Sequence, residues 1–216
     1  MISAQEQKRQ ILDACAVPLQ ELGFRRQRTE LFVRELTGDI YGGVGLALLV
    51  YRDPDRRLLA VTPYVGVRCH SLERLLSEIN QTKYRRYDPP FTVSRLLGNL
   101  LPFRGQSSWS YTEPGGDPKA TASRIVKLVG RYGLPYMQEL VSLGALHDAL
   151  VAHPFRNISG FLERIPTAVL LGGDRDAARA QVIKTLDRFS DDRTLLAEDY
   201  RAFAERFLAY TDQPRP

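Results

Sequence analysis

The chain has 216 residues, 44 % of them hydrophobic and 25 % charged, the balance of a folded globular protein rather than a disordered one. At this length about 70 % of the unfolded surface is buried on folding, so no disulfide or metal staple is required. No apolar run approaches the roughly 18–20 residues that span a bilayer, and the start Met-Ile-Ser-Ala-Gln-Glu-Gln-Lys-Arg-Gln lacks the apolar core of a signal peptide. The expectation is a cytoplasmic protein with no membrane partner.

The net charge of +5 is unevenly spread. Residues 1–135 hold 20 Lys and Arg against 13 Asp and Glu, whereas residues 136–216 hold 10 against 12. Such an asymmetry points to an acidic partner or polyanion facing the first half.

In chain order, the first helix is expected over Ala4 to Leu22, with Ile11, Leu12, Cys15, Leu19 and Leu22 recurring at helical steps. Pro18 interrupts that pattern, and Gly23 suits a left-handed cap. The period then changes. Thr29–Leu36 alternates as a strand; Gly42–Tyr51 is apolar on both faces and reads as a central strand; Leu58–Cys69 is a third, with Pro63 arguing for an edge or a bulge. Short turns between these strands give an antiparallel meander. Ser71 is expected to cap a helix over Leu72–Gln81.

Residues 82–107 carry no clear period, with Asp88-Pro89-Pro90 as a breaker and Thr92–Leu101 readable as strand or short helix. Ser108–Glu113 reads as a fourth strand. Helices follow from Lys119, stopped at Gly133-Leu134-Pro135 and resuming near Tyr136–Val141, Gly144–Ala152, Ser159–Leu171, Asp174–Phe189 and Thr194–Tyr210. In the helix from Asp174, the residues Ala177, Ala178, Val182, Leu186 and Phe189 are expected to face inward. The fold class is therefore α+β: an antiparallel sheet of about four strands packed by helices, with an all-helical C-terminal half. Residues 1–118 form the sheet domain and 119–216 a helical region packed on it, as one continuous unit.

The helix ending Leu22-Gly23-Phe24, the basic run Arg25-Arg26-Gln27-Arg28 and the following strand at Leu31-Phe32 resemble the opening of a bacterial family known as a domain of unknown function. Tyr132-Gly133-Leu134-Pro135-Tyr136, the leucines at 143 and 146, and Asp176-Ala177-Ala178 are similar to that family's second half. The resemblance implies a fold rather than an activity. Some members resemble immunity proteins encoded beside toxins, which makes a toxin one implied partner.

Motifs for catalysis are missing. There is no Gly-x-Ser-x-Gly elbow, no His-Glu-x-x-His and no phosphate loop. Gly42-Gly43-Val44-Gly45 lacks the helix that a dinucleotide site needs and reads as a strand start packed closely by another backbone. His70, His147 and His153 lack metal-ligand spacing, and Cys15 and Cys69 read as buried thiols. No cofactor or metal is expected, and a binding protein is favoured over an enzyme.

The chemistry-bearing features are two basic runs interleaved with aromatics, Phe24-Arg25-Arg26-Gln27-Arg28 and Lys83-Tyr84-Arg85-Arg86-Tyr87. Arg25, Arg26, Arg28, Arg85 and Arg86 would pair with the acids of a protein partner, with Tyr84 and Tyr87 as flat anchors. Trp109 is a further aromatic candidate, against a place in the sheet core. The same residues would also suit nucleic acid, by neutralising phosphates and stacking bases. A third reading is an enzyme with its site near residues 82–111.

Overall fold

The computed structural model describes residues 3–53, 56–102, 109–112, 117–153 and 159–213. Two compact units interleave along the chain: Met1–Arg68 with Ser94–Glu139, and Cys69–Val93 with Leu140–Pro216. The fold is α+β, with an antiparallel sheet and a helical C-terminal half.

The first unit opens with helix α1, Ala4–Glu21, whose N-cap Ser3 accepts a hydrogen bond from the Glu6 amide at 3.1 Å. Ile11, Leu12, Cys15 and Leu19 form its buried stripe. Pro18 is accommodated inside the helix. Gly23 ends the helix at φ +83°. Its amide donates to the Gln20 carbonyl at 2.8 Å and the Phe24 amide to Leu19 at 3.0 Å, the bond pair of a Schellman cap. That turn folds Phe24 back into the core beside Leu19.

The sheet carries six strands among the described residues: β1 Arg25–Arg28, β2 Leu31–Thr37, β3 Ile40–Asp53, β4 Arg56–Cys69, β5 Val93–Leu96 and β6 Trp109–Thr112. The order is β1-β2-β3-β4-β5, with β6 also on β4. Beyond the four strands counted from the sequence are two short ones: β1, not expected from the sequence, and β5, which falls in the Thr92–Leu101 segment read as strand or short helix. β1 is an edge strand of four exposed residues, in register Arg25↔Val33 and Arg26↔Phe32 on β2. β3 is central, as its two-sided apolar pattern requires. Pro63 is not on an edge strand: β4 is interior, and the proline lies just past Val61, the last partner of β6.

The glycines of β3 serve packing by side chains rather than by another backbone. A Cβ on Gly45 would fall 2.1 Å from the Tyr64 ring, and one on Gly42 would fall 2.8 Å from Met137 Sδ. β5 runs into a 3-10 turn, Leu97–Leu100, so Thr92–Leu101 is strand and then helical turn. Helix α3, Pro118–Leu128, is capped by Asp117 and packs on α1. The expected stop at Gly133-Leu134-Pro135 does not occur. A π turn over Val129–Gly133 leads straight into α4, Leu134–Glu139, because Pro135 falls in a first turn, where its missing N–H costs nothing.

The second unit comprises α2 His70–Ile79, α5 Leu143–Val151, α6 Ser159–Leu171, α7 Arg175–Arg188 and α8 Leu195–Asp212. Ser71 is not the cap of α2. The cap position is Cys69, which makes no side-chain capping bond. The stripe Leu72, Leu75, Leu76 and Ile79 is buried as expected. Asp174 and Thr194 cap α7 and α8 through the amides of Ala177 and Ala197. Ala178, Val182 and Phe189 are buried, whereas Ala177 is exposed in the first turn. Phe189, Tyr200, Phe203 and Phe207 run through the core with successive ring centroids 5.5–5.7 Å apart, each burial contributing about 1.5–3 kcal/mol.

No described helix is long and apolar enough to cross a membrane. Cys15 and Cys69 are both buried, and no disulfide joins them.

Candidate basic–aromatic interface

The two basic runs fall in different units, and each is built differently. In the first, Phe24 is only 1 % exposed, held inside by the helix cap. It therefore offers no ring to a partner. Arg26 is occupied internally: Nη1 donates to Asp13 at 3.0 Å, Nε and Nη2 donate to the Thr29 carbonyl at 3.3 and 3.1 Å, and the guanidinium lies over the Phe32 ring at 5.9 Å. Arg25 and Arg28 are exposed on the edge strand. Trp109 is placed by its backbone pairing with Val61; a contact through its ring lies outside the described residues.

The second run is a cluster. Tyr84 and Tyr87 are half-buried, while Lys83, Arg85 and Arg86 are exposed. The Tyr84 hydroxyl is hydrogen-bonded to Nδ1 of the buried His70. The His70 ring meets Tyr84 and Tyr87 edge-on, at centroid distances of 6.2 and 6.0 Å. The Arg74 guanidinium lies over Tyr84 at 5.4 Å and that of Arg86 over Tyr87 at 5.7 Å. Arg85 pairs with Asp88 at 3.3 Å and is partly spent there.

His70 and Arg74 were not among the residues expected from the sequence. They sit four apart on one face of α2, which lays them along the tyrosines. The signal was present in that spacing, but a helix start placed at Ser71 left His70 outside the helix.

A buried polar network fixes this end of α2. Arg164 of α6 donates through Nε and Nη2 to the two oxygens of Glu73, at 2.7 and 3.0 Å. The Thr92 hydroxyl donates to Glu73 Oε1 at 2.8 Å and accepts from the Cys69 amide at 3.0 Å. Arg164 Nη1 donates to the Gly160 carbonyl at 2.7 Å. These bonds clamp α2 to α6 and to Thr92. Beside the cluster a recess of about 230 Å³ opens, lined by Arg74, Leu75, Leu170 and Leu171, with Ser71 and Glu78 also in its wall.

Among the described residues no group of His, Cys, Asp and Glu is placed to hold a metal. Two guanidiniums over tyrosine rings, beside a recess walled partly by Leu75, Leu170 and Leu171, define the site as a cationic surface on an α+β scaffold. Comparison with known proteins finds no matching family model, no matching curated protein and no matching solved structure.

Proposed function

We propose that this is a non-enzymatic cytoplasmic binding protein that takes an acidic segment of another protein on the Arg74–Tyr84–His70–Tyr87–Arg86 cluster. The observation that carries the reading is the pair of guanidiniums over tyrosine rings, Arg74 over Tyr84 and Arg86 over Tyr87. A guanidinium held over an aromatic ring presents N–H donors in the fork geometry that matches carboxylates. It is also held in place before the partner arrives, which lowers the ordering cost of binding. The recess beside Arg74 suits an apolar side chain flanking the partner's acids. Two buried cysteines that no disulfide joins fit a reducing compartment. A toxin-like partner is the class that the sequence resemblance implies.

Nucleic acid is the second reading, and the same cation–π contacts weigh against it. One face of each tyrosine is already covered by a guanidinium, where base stacking needs an open ring.

The test compares labelled poly-L-glutamate with an oligo-dT of equal charge, on the intact protein and on an Arg74→Glu/Arg86→Glu variant. Poly-L-glutamate is expected to bind at least as tightly as oligo-dT, and the double reversal to weaken it by about tenfold or more, roughly 1.4 kcal/mol. Preferential oligo-dT binding with a steep salt slope would install the nucleic-acid reading instead. Poly-L-glutamate binding indifferent to the reversal would remove the cluster as the site.

A further inference from the structure

A second cleft, of about 310 Å³, opens in the helical unit between α5, α6 and α7. Among the described residues its polar wall comes from α7: Gln181, Lys184, Thr185 and Arg188 line it, at the three- and four-residue steps that share one helix face. Its opposite wall is apolar, with Leu162, Ile165 and Pro166 of α6. The volume lies at the lower end of the roughly 300–1,000 Å³ typical of small-molecule sites.

Charge sets the ligand class. Lys184 and Arg188 are four residues apart, a spacing at which like charges repel along a helix. Among the described residues no carboxylate lines the cleft and neither cation takes part in an ion pair. Other arginines of this unit are differently placed: Arg164 is bound to Glu73, Arg179 to Asp212 at 2.6 Å, and Arg201 to the Phe189 and Asp192 carbonyls. Two unneutralised cations on one wall thus face a hydrocarbon surface on the other. An anionic headgroup would relieve the repulsion between them, and an apolar tail would cover the wall of α6.

We propose that this cleft binds a small amphipathic carboxylate, with its headgroup on Lys184 and Arg188 and its tail against Leu162, Ile165 and Pro166. The Gln181 side-chain amide is placed to donate to the headgroup. The Thr185 hydroxyl donates to the Gln181 carbonyl at 3.0 Å, so the cations and the Gln181 amide carry the recognition of the carboxylate. This site shares no residue with the basic–aromatic cluster, so the two proposals stand or fall separately.

The experiment is calorimetric titration of the full chain with decanoate, with decanol and with acetate. Decanoate is expected to bind with one-to-one stoichiometry, and decanol and acetate at least tenfold more weakly, because each lacks one half of the complement. A Lys184→Gln/Arg188→Gln variant should bind decanoate about tenfold more weakly or worse. Both positions are exposed, and an unchanged melting temperature would verify that the variant is folded. No saturable decanoate binding, equal binding of decanol, or full affinity in the folded double variant would each overturn the proposal.

Discussion

Arg164 grips Glu73 through two parallel hydrogen bonds, Nε to Oε1 and Nη2 to Oε2, with the side chains only 10 % and 4 % exposed. A buried pair of this kind is costly to halve, because the surviving charge keeps its desolvation penalty without its counter-charge. Arg164→Ala is expected to destabilise the protein by about 3–5 kcal/mol, read as a shift in the urea midpoint. The double variant Glu73→Leu/Arg164→Leu should recover much of that loss. A coupling energy below about 0.5 kcal/mol in the double-mutant cycle would show that the two side chains act independently.

Tyr200 makes the opposite case, a buried polar atom that the core does not satisfy. The residue is 0 % exposed, and among the described residues its hydroxyl makes no hydrogen bond, although Thr185 lies near. Tyr200→Phe removes an unsatisfied donor and leaves the ring. It should be neutral or stabilising by about 1 kcal/mol at neutral pH. Burial pushes the phenol from 10.0 up to about 12. The neutral form is thus favoured by folding, and that contribution is intact below pH 10.0 and lost as pH rises through about 12. The variant should therefore lose less stability than the parent over that window. Cys15, pushed from 9.0 to about 12 by burial, adds an alkaline loss of the same sign that the substitution leaves in place. Urea midpoints at neutral and alkaline pH check both parts. A clear loss of stability at neutral pH would mean that the hydroxyl has a partner after all.

What the sequence disclosed and what it hid follow one division. Segments whose own residues decide their state were readable. Ser159–Leu171 is helix at the expected bounds, and Gly23 caps α1 with the positive φ that its place after Leu22 implied. Segments decided by distant partners were not. Arg25–Arg28 has no apolar alternation and is a strand only because Val33 and Phe32 of β2 pair with it. Gly133-Leu134-Pro135 looks like a stop until a π turn shifts Pro135 into the opening of the next helix. Half of the candidate site was legible in Tyr84-Arg85-Arg86-Tyr87. The other half, His70 and Arg74, lay on a helix whose start was misplaced. The clamp beneath joins residues 91 positions apart, a pairing that no local pattern records.

The arginines of β1 should separate cleanly in a stability assay. Arg26 holds Asp13 and the Thr29 carbonyl from a partly exposed position, where an ion pair is worth about 0–1 kcal/mol. Arg26→Ala should therefore cost up to about 1 kcal/mol, the loss of the Phe32 contact included. Arg25→Ala and Arg28→Ala, on the same exposed strand, should stay within about 0.5 kcal/mol of the parent. Equal losses at all three positions would mean that Arg26 has no special structural part.

The glycines of β3 offer a last test, because packing and nucleotide binding foresee different results there. Gly45 lies under the Tyr64 ring, whose Cζ would be 2.1 Å from an added Cβ. Gly45→Ala must therefore displace the ring or the strand, at a cost of about 1–3 kcal/mol as for other overpacked cores. If the clash with Tyr64 is the cause, Tyr64→Leu in the same chain should restore part of the loss by vacating the space. A glycine kept for close approach to a phosphate would behave otherwise. Its substitution would leave unfolding in buffer unchanged and abolish a stabilisation by added nucleotide. Thermal melts of the single and double variants, with and without ATP, decide between the two. Rescue by Tyr64→Leu together with indifference to ATP is the expected result.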